Sequence, residues 1–185
     1  MKQKEEKSLE NKQKVLRFTE GNVLEIKIDD YYVYAQMLKE PNLFFFDFRT
    51  KEQLKDLSVL NDKPAIFILS VFYRRASGCT WEKVGKMPIR DEFKTLPLRY
   101  IYRPKDNPGF QWAIYDTNAG KIIETTEEEV RKHGIIESAT VWYAINVEDR
   151  IRCYYSGEIS IWEKSEILYL EEKARRQGQK ERSNS

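Results

Sequence analysis

The sequence predicts an α+β domain: a mostly antiparallel, strongly bent sheet of about seven strands, with two to four short helices concentrated in the C-terminal third. Three observations predict it. Between Asn22 and Thr125, short aliphatic and aromatic runs are separated by turn residues at close intervals. Beyond Thr126 the pattern changes to capped stretches of helical period. The 185 residues, 41% hydrophobic and 13% aromatic, hold material for one core of ordinary size.

In chain order, NVLEIKI sets Leu24, Ile26 and Ile28 on one side and Glu25 and Lys27 on the other, the alternation of a strand with one wet face. Asp29-Asp30 marks a turn, YYVYAQML a second strand and, after Pro41-Asn42, LFFFDF a third, so these three form a meander. Asp47 interrupts that aromatic run and must reach water or hydrogen-bond donors. Thr50 is placed to cap a short helix, TKEQLKDLSVL, with Leu54, Leu57 and Leu60 inward. AIFILSVFY, apolar almost throughout, reads as a central strand buried on both faces. A polar loop over 74–78 leads to TWEKVGKMPI, a short edge strand carrying Trp81 and Val84 and stopped by Gly85 and Pro88. RYIYRP, FQWAIYD and KIIET then read as hairpin strands, with turns at Asp106-Asn107-Pro108-Gly109 and Asn118-Ala119-Gly120.

Thr126 with Glu129 is a capping box opening an acidic helix that stops at Gly134. Next comes ESATVWYAINVEDRIRCYYSG, from Glu137 to Gly157, the stretch richest in signal. In it Ala144, Val147, Ile151, Tyr154 and Tyr155 share one helical face, Asp149, Arg152 and Cys153 fall away from it, and Gly157 supplies the stop. Trp142 is expected in the core, and Arg150 at the edge of the apolar face, reaching a carboxylate for which Glu137 is one candidate. Residues 159–170 fit either a strand or a helix. The expected organisation is a charged extension over 1–19, a single domain over 20–170 and a charged tail over 171–185.

Charge and cysteine usage narrow the function classes. The net charge of +2 is carried by the ends: residues 1–20 hold six Lys or Arg against four Glu, and 171–185 hold five against three. Between 21 and 170 that leaves 21 basic and 23 acidic residues, a slightly acidic body that disfavours nucleic acid as partner. No run approaches the roughly 20 apolar residues of a membrane span, and MKQKEEKSLENKQK lacks the apolar region of a secretion signal, so a cytoplasmic protein away from membranes is expected. Cys79 and Cys153 lie far apart without metal-type spacing, which fits reduced thiols.

Chemistry-bearing motifs are scarce. His133 is the sole histidine, which rules out a His-rich metal centre, and it suits the negative end of its helix. Eight glycines form neither a phosphate loop nor a dinucleotide fingerprint. No catalytic residue, metal ligand or cofactor is assigned, and a binding module is favoured over an enzyme.

The order GNVLEIKI, YYVYAQML, FFFDF, WEKVGKMPI, TTEEE, IESATVW and NVEDRI, followed by Gly157 and Trp162, resembles the immunity protein 26 family of bacterial polymorphic toxin systems, over about residues 20–165. Its landmarks are Gly21, Phe46-Asp47, Trp81 with Val84, Gly85 and Pro88, Glu137 with Trp142, and Val147-Glu148-Asp149-Arg150. The chain departs from the family in its charged amino terminus, in the bulkier YYVYAQ and in Asn146 where histidine is expected. The resemblance implies a protein that binds and neutralises a cognate toxin encoded nearby. It makes Asp47, Trp81, Glu137, Trp142 and Arg150 a family cluster serving core or binding, with Tyr31, Tyr32, Tyr143 and Tyr155 as candidate partner anchors. Some family members carry a small-phosphotriesterase label. The alternatives are therefore such a hydrolase, with Glu137, Asp47, His133 and the cysteines as its only available groups, or a small-ligand-binding module.

Overall fold

Apolar residues at alternate positions, punctuated by polar turns, fold the first part of the chain into an antiparallel meander of β1 (Asn22–Ile28), β2 (Tyr31–Met37) and β3 (Asn42–Thr50). The computed structural model describes residues 17–72, 80–103 and 109–164. The polar loop over 74–78, Cys79, the turn residues Asp106 to Pro108 and the stretch 165–170 lie outside them. Asp29 closes the first turn at φ 52, a left-handed geometry that Asp tolerates better than most residues. β4 (Ala65–Phe72) pairs with β3, and β5 (Glu82–Lys86) pairs with β1 at the sheet edge, where the sequence places it.

The class is α+β, with nine strands in a sheet of six, ordered β5-β1-β2-β3-β4-β9, and a separate sheet of three. β6 (Arg99–Tyr102), β7 (Trp112–Asp116) and β8 (Lys121–Thr125) make the small sheet, and β9 is Val141–Tyr143. Two short helices follow the hairpins, α1 (Glu127–Lys132) and α2 (Ala144–Ser156). By compactness the described residues up to Val141 form one unit and those from Trp142 a second.

Within the first unit the large sheet presents Val23, Tyr34, Leu38, Phe44 and Phe46 to a cover made by Leu60, Met87 and Leu96, with Leu54, Leu57, Ile89 and Phe93 packed around them. The alternate residues Leu24, Ile26, Ile28, Ala35 and Leu43 are fully buried as well. β1 therefore has no wet face, which corrects the reading from alternation. Glu25 is only 5% exposed, because its carboxylate accepts hydrogen bonds from the Tyr34 hydroxyl (2.9 Å) and Gln53 Nε2 (2.7 Å). Lys27 alone on that strand is exposed.

The small sheet is tied to the large one by Arg99, which is fully buried and donates from Nη2 to Asn42 Oδ1 (3.2 Å) and to the Ile68 carbonyl (2.9 Å). Asn42, also fully buried, accepts from Ser70 Oγ at 3.0 Å and donates to the Lys39 carbonyl at 2.9 Å. This polar knot supplies partners to groups that would otherwise be buried without them.

Two helix expectations change. The stretch after Thr50 makes only a 3-10 turn, Leu57–Leu60, and its cap is Asp56, which accepts from the Ser58 amide. Thr50 stays extended as the last residue of β3, paired with Tyr32. On α2 the buried positions are Ala144, Val147, Arg150 and Ile151, whereas Tyr154, expected inward, is 45% exposed. The capped ends agree with the sequence. Thr126 Oγ1 accepts from the Glu129 amide, and Gly157 at φ 75 ends α2 while Glu158 N donates to the Cys153 carbonyl.

Candidate functional site

Three groups of residues bear on function: the family landmarks, the tyrosines and a cavity that sequence patterning did not indicate.

Of the landmarks, Trp81 is 1% exposed and meets Phe45 edge-on, ring centroids 6.0 Å apart. Asp47 is half-buried on β3, and its amide donates to the Pro64 carbonyl at 2.8 Å. Glu137 is half-buried beside β6, where its carbonyl accepts from the Tyr100 amide at 3.0 Å. In the second unit Trp142 and Arg150 come together, the guanidinium lying 5.0 Å from the ring centroid. Arg150 Nη2 is also 2.9 Å from Glu163 Oε1. Glu163 is itself fixed by a capping box, its Oε2 accepting from the Ser160 amide while its own amide donates to Ser160 Oγ, both at 3.3 Å. Residues 161–164 are helical, which decides the strand-or-helix alternative for that part of the chain.

The tyrosines differ among themselves. Tyr143 is 55% exposed, at the N-cap of α2. Tyr155 is half-buried and stacks edge-on with Tyr154 at 5.1 Å. Tyr31 is half-buried under the Arg49 guanidinium, 5.6 Å from its centroid, and Tyr32 packs against the first unit's core.

Of the ionisable groups considered for an enzyme besides Asp47 and Glu137, Cys79 lies outside the described residues, and His133 and Cys153 are placed as follows. His133 caps α1 at its C-terminal end, with Nε2 3.8 Å from Glu129 Oε2. The Cys153 thiol is free, and burial pushes its pKa up, with Asp149 and Glu158 adding to the effect, so it stays a poorly nucleophilic thiol. Among the described residues no three His, Cys, Asp or Glu side chains cluster closely enough to hold a metal ion.

The cavity, about 300 Å³, opens on the core-side face of the large sheet. Its floor and walls are Phe46, Leu60, Met87 and Ile89, and Gln36, Asn61, Pro88 and Arg90 complete its lining. Gln36 is 2% exposed, and its Nε2 donates to the carbonyls of Met87 (2.9 Å) and Pro88 (3.3 Å). Arg90 is held over Phe93 and Phe44, with its guanidinium carbon 4.4 and 5.2 Å from their ring centroids, while Nη1 donates to the Asn61 carbonyl at 3.1 Å. Sequence patterning does not single Gln36 out; the one local signal that could do so is its place as a polar residue among apolar neighbours in YYVYAQML. Its position on the buried face, and the return of 87–90 over it, depend on sheet registers that local patterning does not encode.

Fold and site together define an α+β protein whose first unit carries a half-open cavity with apolar walls and a few fixed polar groups. The family model described as Immunity protein 26 matches residues 19–112, which is 94 of 185 residues and just over half of the chain. The chain belongs to that family. No curated protein and no solved structure matches it. No helix among the described residues is long and apolar enough to cross a membrane.

Proposed function

We propose that this protein neutralises a cognate bacterial toxin, encoded near its own gene, by binding it in a stoichiometric complex in the cytoplasm. Membership of the immunity protein 26 family carries this reading, since it implies a toxin partner. Residues 20–170 act together as the functional domain, with the charged ends outside it. Exposed aromatic groups supply anchors of the kind that dominate protein interfaces, and Tyr143 at 55% exposure is the foremost of the four tyrosines considered. The landmark residues act through the fold: Trp81 is buried in the first unit, and Trp142 is buried under Arg150 in the second.

The test is growth rescue. Co-expression with the toxin encoded beside the gene restores growth, and the two chains co-purify. Failure with every neighbouring toxin overturns the reading.

A further inference from the structure

The strands that end the two sheets present different edges. β5 carries Lys83 and Lys86 and meets β1 through a register shift, and such charge and irregularity blunt an edge. β9 has only three residues. β6 is covered, since the Tyr100 amide donates to the Glu137 carbonyl at 3.0 Å and the Tyr100 carbonyl accepts from the Ala139 amide at 2.7 Å. β8 pairs with β7 in unbroken register over all five residues, and among the described residues no backbone hydrogen bond reaches its other side.

The ladder shows which groups that side leaves over. Arg103 N donates to the Gln111 carbonyl at 2.8 Å, in register with the Tyr102–Trp112 pair. Bonded and non-bonded pairs alternate between antiparallel strands, so Gln111, Ala113 and Tyr115 turn their backbone groups to β6, and Trp112, Ile114 and Asp116 turn theirs to β8. Their partners there are Thr125, Ile123 and Lys121. Ile122 and Glu124 therefore point both N–H and carbonyl outward. The same alternation turns Tyr100 away from β7, where its bonds to Glu137 and Ala139 lie.

The side chains narrow what completes this edge. Ile122 and Ile123, on opposite faces, are 51% and 54% exposed. Glu124 is exposed on the face of Ile122 and makes no ion pair among the described residues, whereas Glu127 and Glu129 of α1 are paired with Arg131 and Lys132. A second copy does not meet this charge. Lys121, the only cation of the strand, has its backbone turned to β7, so no antiparallel self-pairing sets it opposite Glu124. A five-residue edge also falls short of the about 1,000 Å² that a stable interface buries, so it serves as one part of a larger contact.

We infer that the outer edge of β8 receives an extended segment of the toxin as a fourth, antiparallel strand, with a basic residue opposite Glu124 and, two positions further along the segment, an apolar β-branched residue opposite Ile122. The inference rests on the toxin-binding reading and names the strip of surface and the partner chemistry that serve it.

The test is amide hydrogen exchange by NMR on the protein alone and in complex with the purified neighbouring toxin. In the protein alone the Ile122 and Glu124 amides exchange fast, while that of Ile123, facing β7, is protected. In the complex both outward amides slow by about tenfold or more. Ile122→Pro removes an outward donor without touching the bonds to β7 and weakens the complex by about tenfold or more. Glu124→Lys weakens it several-fold. Far-UV circular dichroism checks the fold of each variant, and where Ile122→Pro does not fold, Glu124→Lys and the wild-type exchange decide. A toxin complex in which both outward amides stay fast, or which Glu124→Lys binds undiminished, overturns the inference and leaves the toxin-binding reading in place. Protection that rises with the concentration of the protein alone makes a second copy the occupant and also overturns it. A wild-type chain that binds no neighbouring toxin overturns both.

Discussion

Replacing Tyr34 by phenylalanine removes one oxygen from a doubly bonded, buried polar group of the first unit. The hydroxyl donates to Glu25 Oε2 at 2.9 Å and accepts from the Leu54 amide at 2.8 Å, so Tyr34→Phe deletes two hydrogen bonds at once. The bond to the backbone is worth about 1 kcal/mol and the bond to a charged partner about 1.5–3 kcal/mol, giving an expected loss of about 2–4 kcal/mol. Gln53 still serves Glu25 Oε1, which keeps the loss below that of stripping the carboxylate entirely. Urea unfolding at neutral pH, followed by tryptophan fluorescence, reads the change as a shift in midpoint at constant slope. Pairing Tyr34→Phe with Glu25→Leu in a double-mutant cycle isolates the coupling between the two side chains.

The same tyrosine gives a pH signature. Burial, chiefly, pushes its pKa up from 10.0 to about 12, with the Glu25 carboxylate adding to the shift. The unfolded chain loses this proton near pH 10 and the folded chain only near pH 12, so the folded state holds more protons in that window and stability falls as pH rises through it. The gap between wild type and Tyr34→Phe therefore narrows as the pH rises from 10 to 12. A loss under about 1 kcal/mol at neutral pH, or a gap constant across the alkaline range, refutes the role given to this network.

Three further outcomes follow from geometry. Asn42→Ala strips partners from Ser70 and from the buried Arg99, and lowers stability by about 2–4 kcal/mol in thermal or chemical unfolding. Gly21→Ala meets both a φ of +83° and the Met87 carbonyl at 2.8 Å, whereas Gly85→Ala meets only the tip of the Leu57 side chain, at 2.6 Å. Gly21→Ala therefore costs more, above about 1 kcal/mol, and unfolding midpoints of the two variants side by side check the order. In the second unit, Glu163→Ala removes a carboxylate 2.9 Å from the largely buried Arg150 and costs about 1–3 kcal/mol, measured by the same unfolding assay.

Much of the fold is legible in the sequence because strands and caps are local devices. Alternation and turn residues give β1 to β3, the edge strand and the hairpins, and Thr126 and Gly157 mark helix ends by chemistry that acts over three or four residues. What is not legible depends on distant partners. Glu25 reads as a solvent-facing residue until Tyr34 and Gln53 are brought to it, 9 and 28 residues away in sequence. Thr50 reads as a helix cap because its pairing with Tyr32 across the sheet cannot be seen locally. The hairpins are readable as hairpins, yet nothing local says that β6 to β8 form a sheet of their own, or that Arg99 anchors it to Asn42, 57 residues away. β9, at three residues, is too short for any period to show. The cavity is the extreme case, since its lining comes from β2, β3, the turn at Leu60 and the loop at 87–90, and only the odd polar Gln36 hints at it.

The central claim is that this chain acts by holding a toxin, and calorimetric titration of the purified neighbouring toxin into the protein, with toxin activity read on the same samples, tests it most directly. The account predicts saturation at a fixed simple ratio, with activity falling to background at that ratio. Activity unchanged at a saturating excess of this protein, with no heat of association, contradicts it.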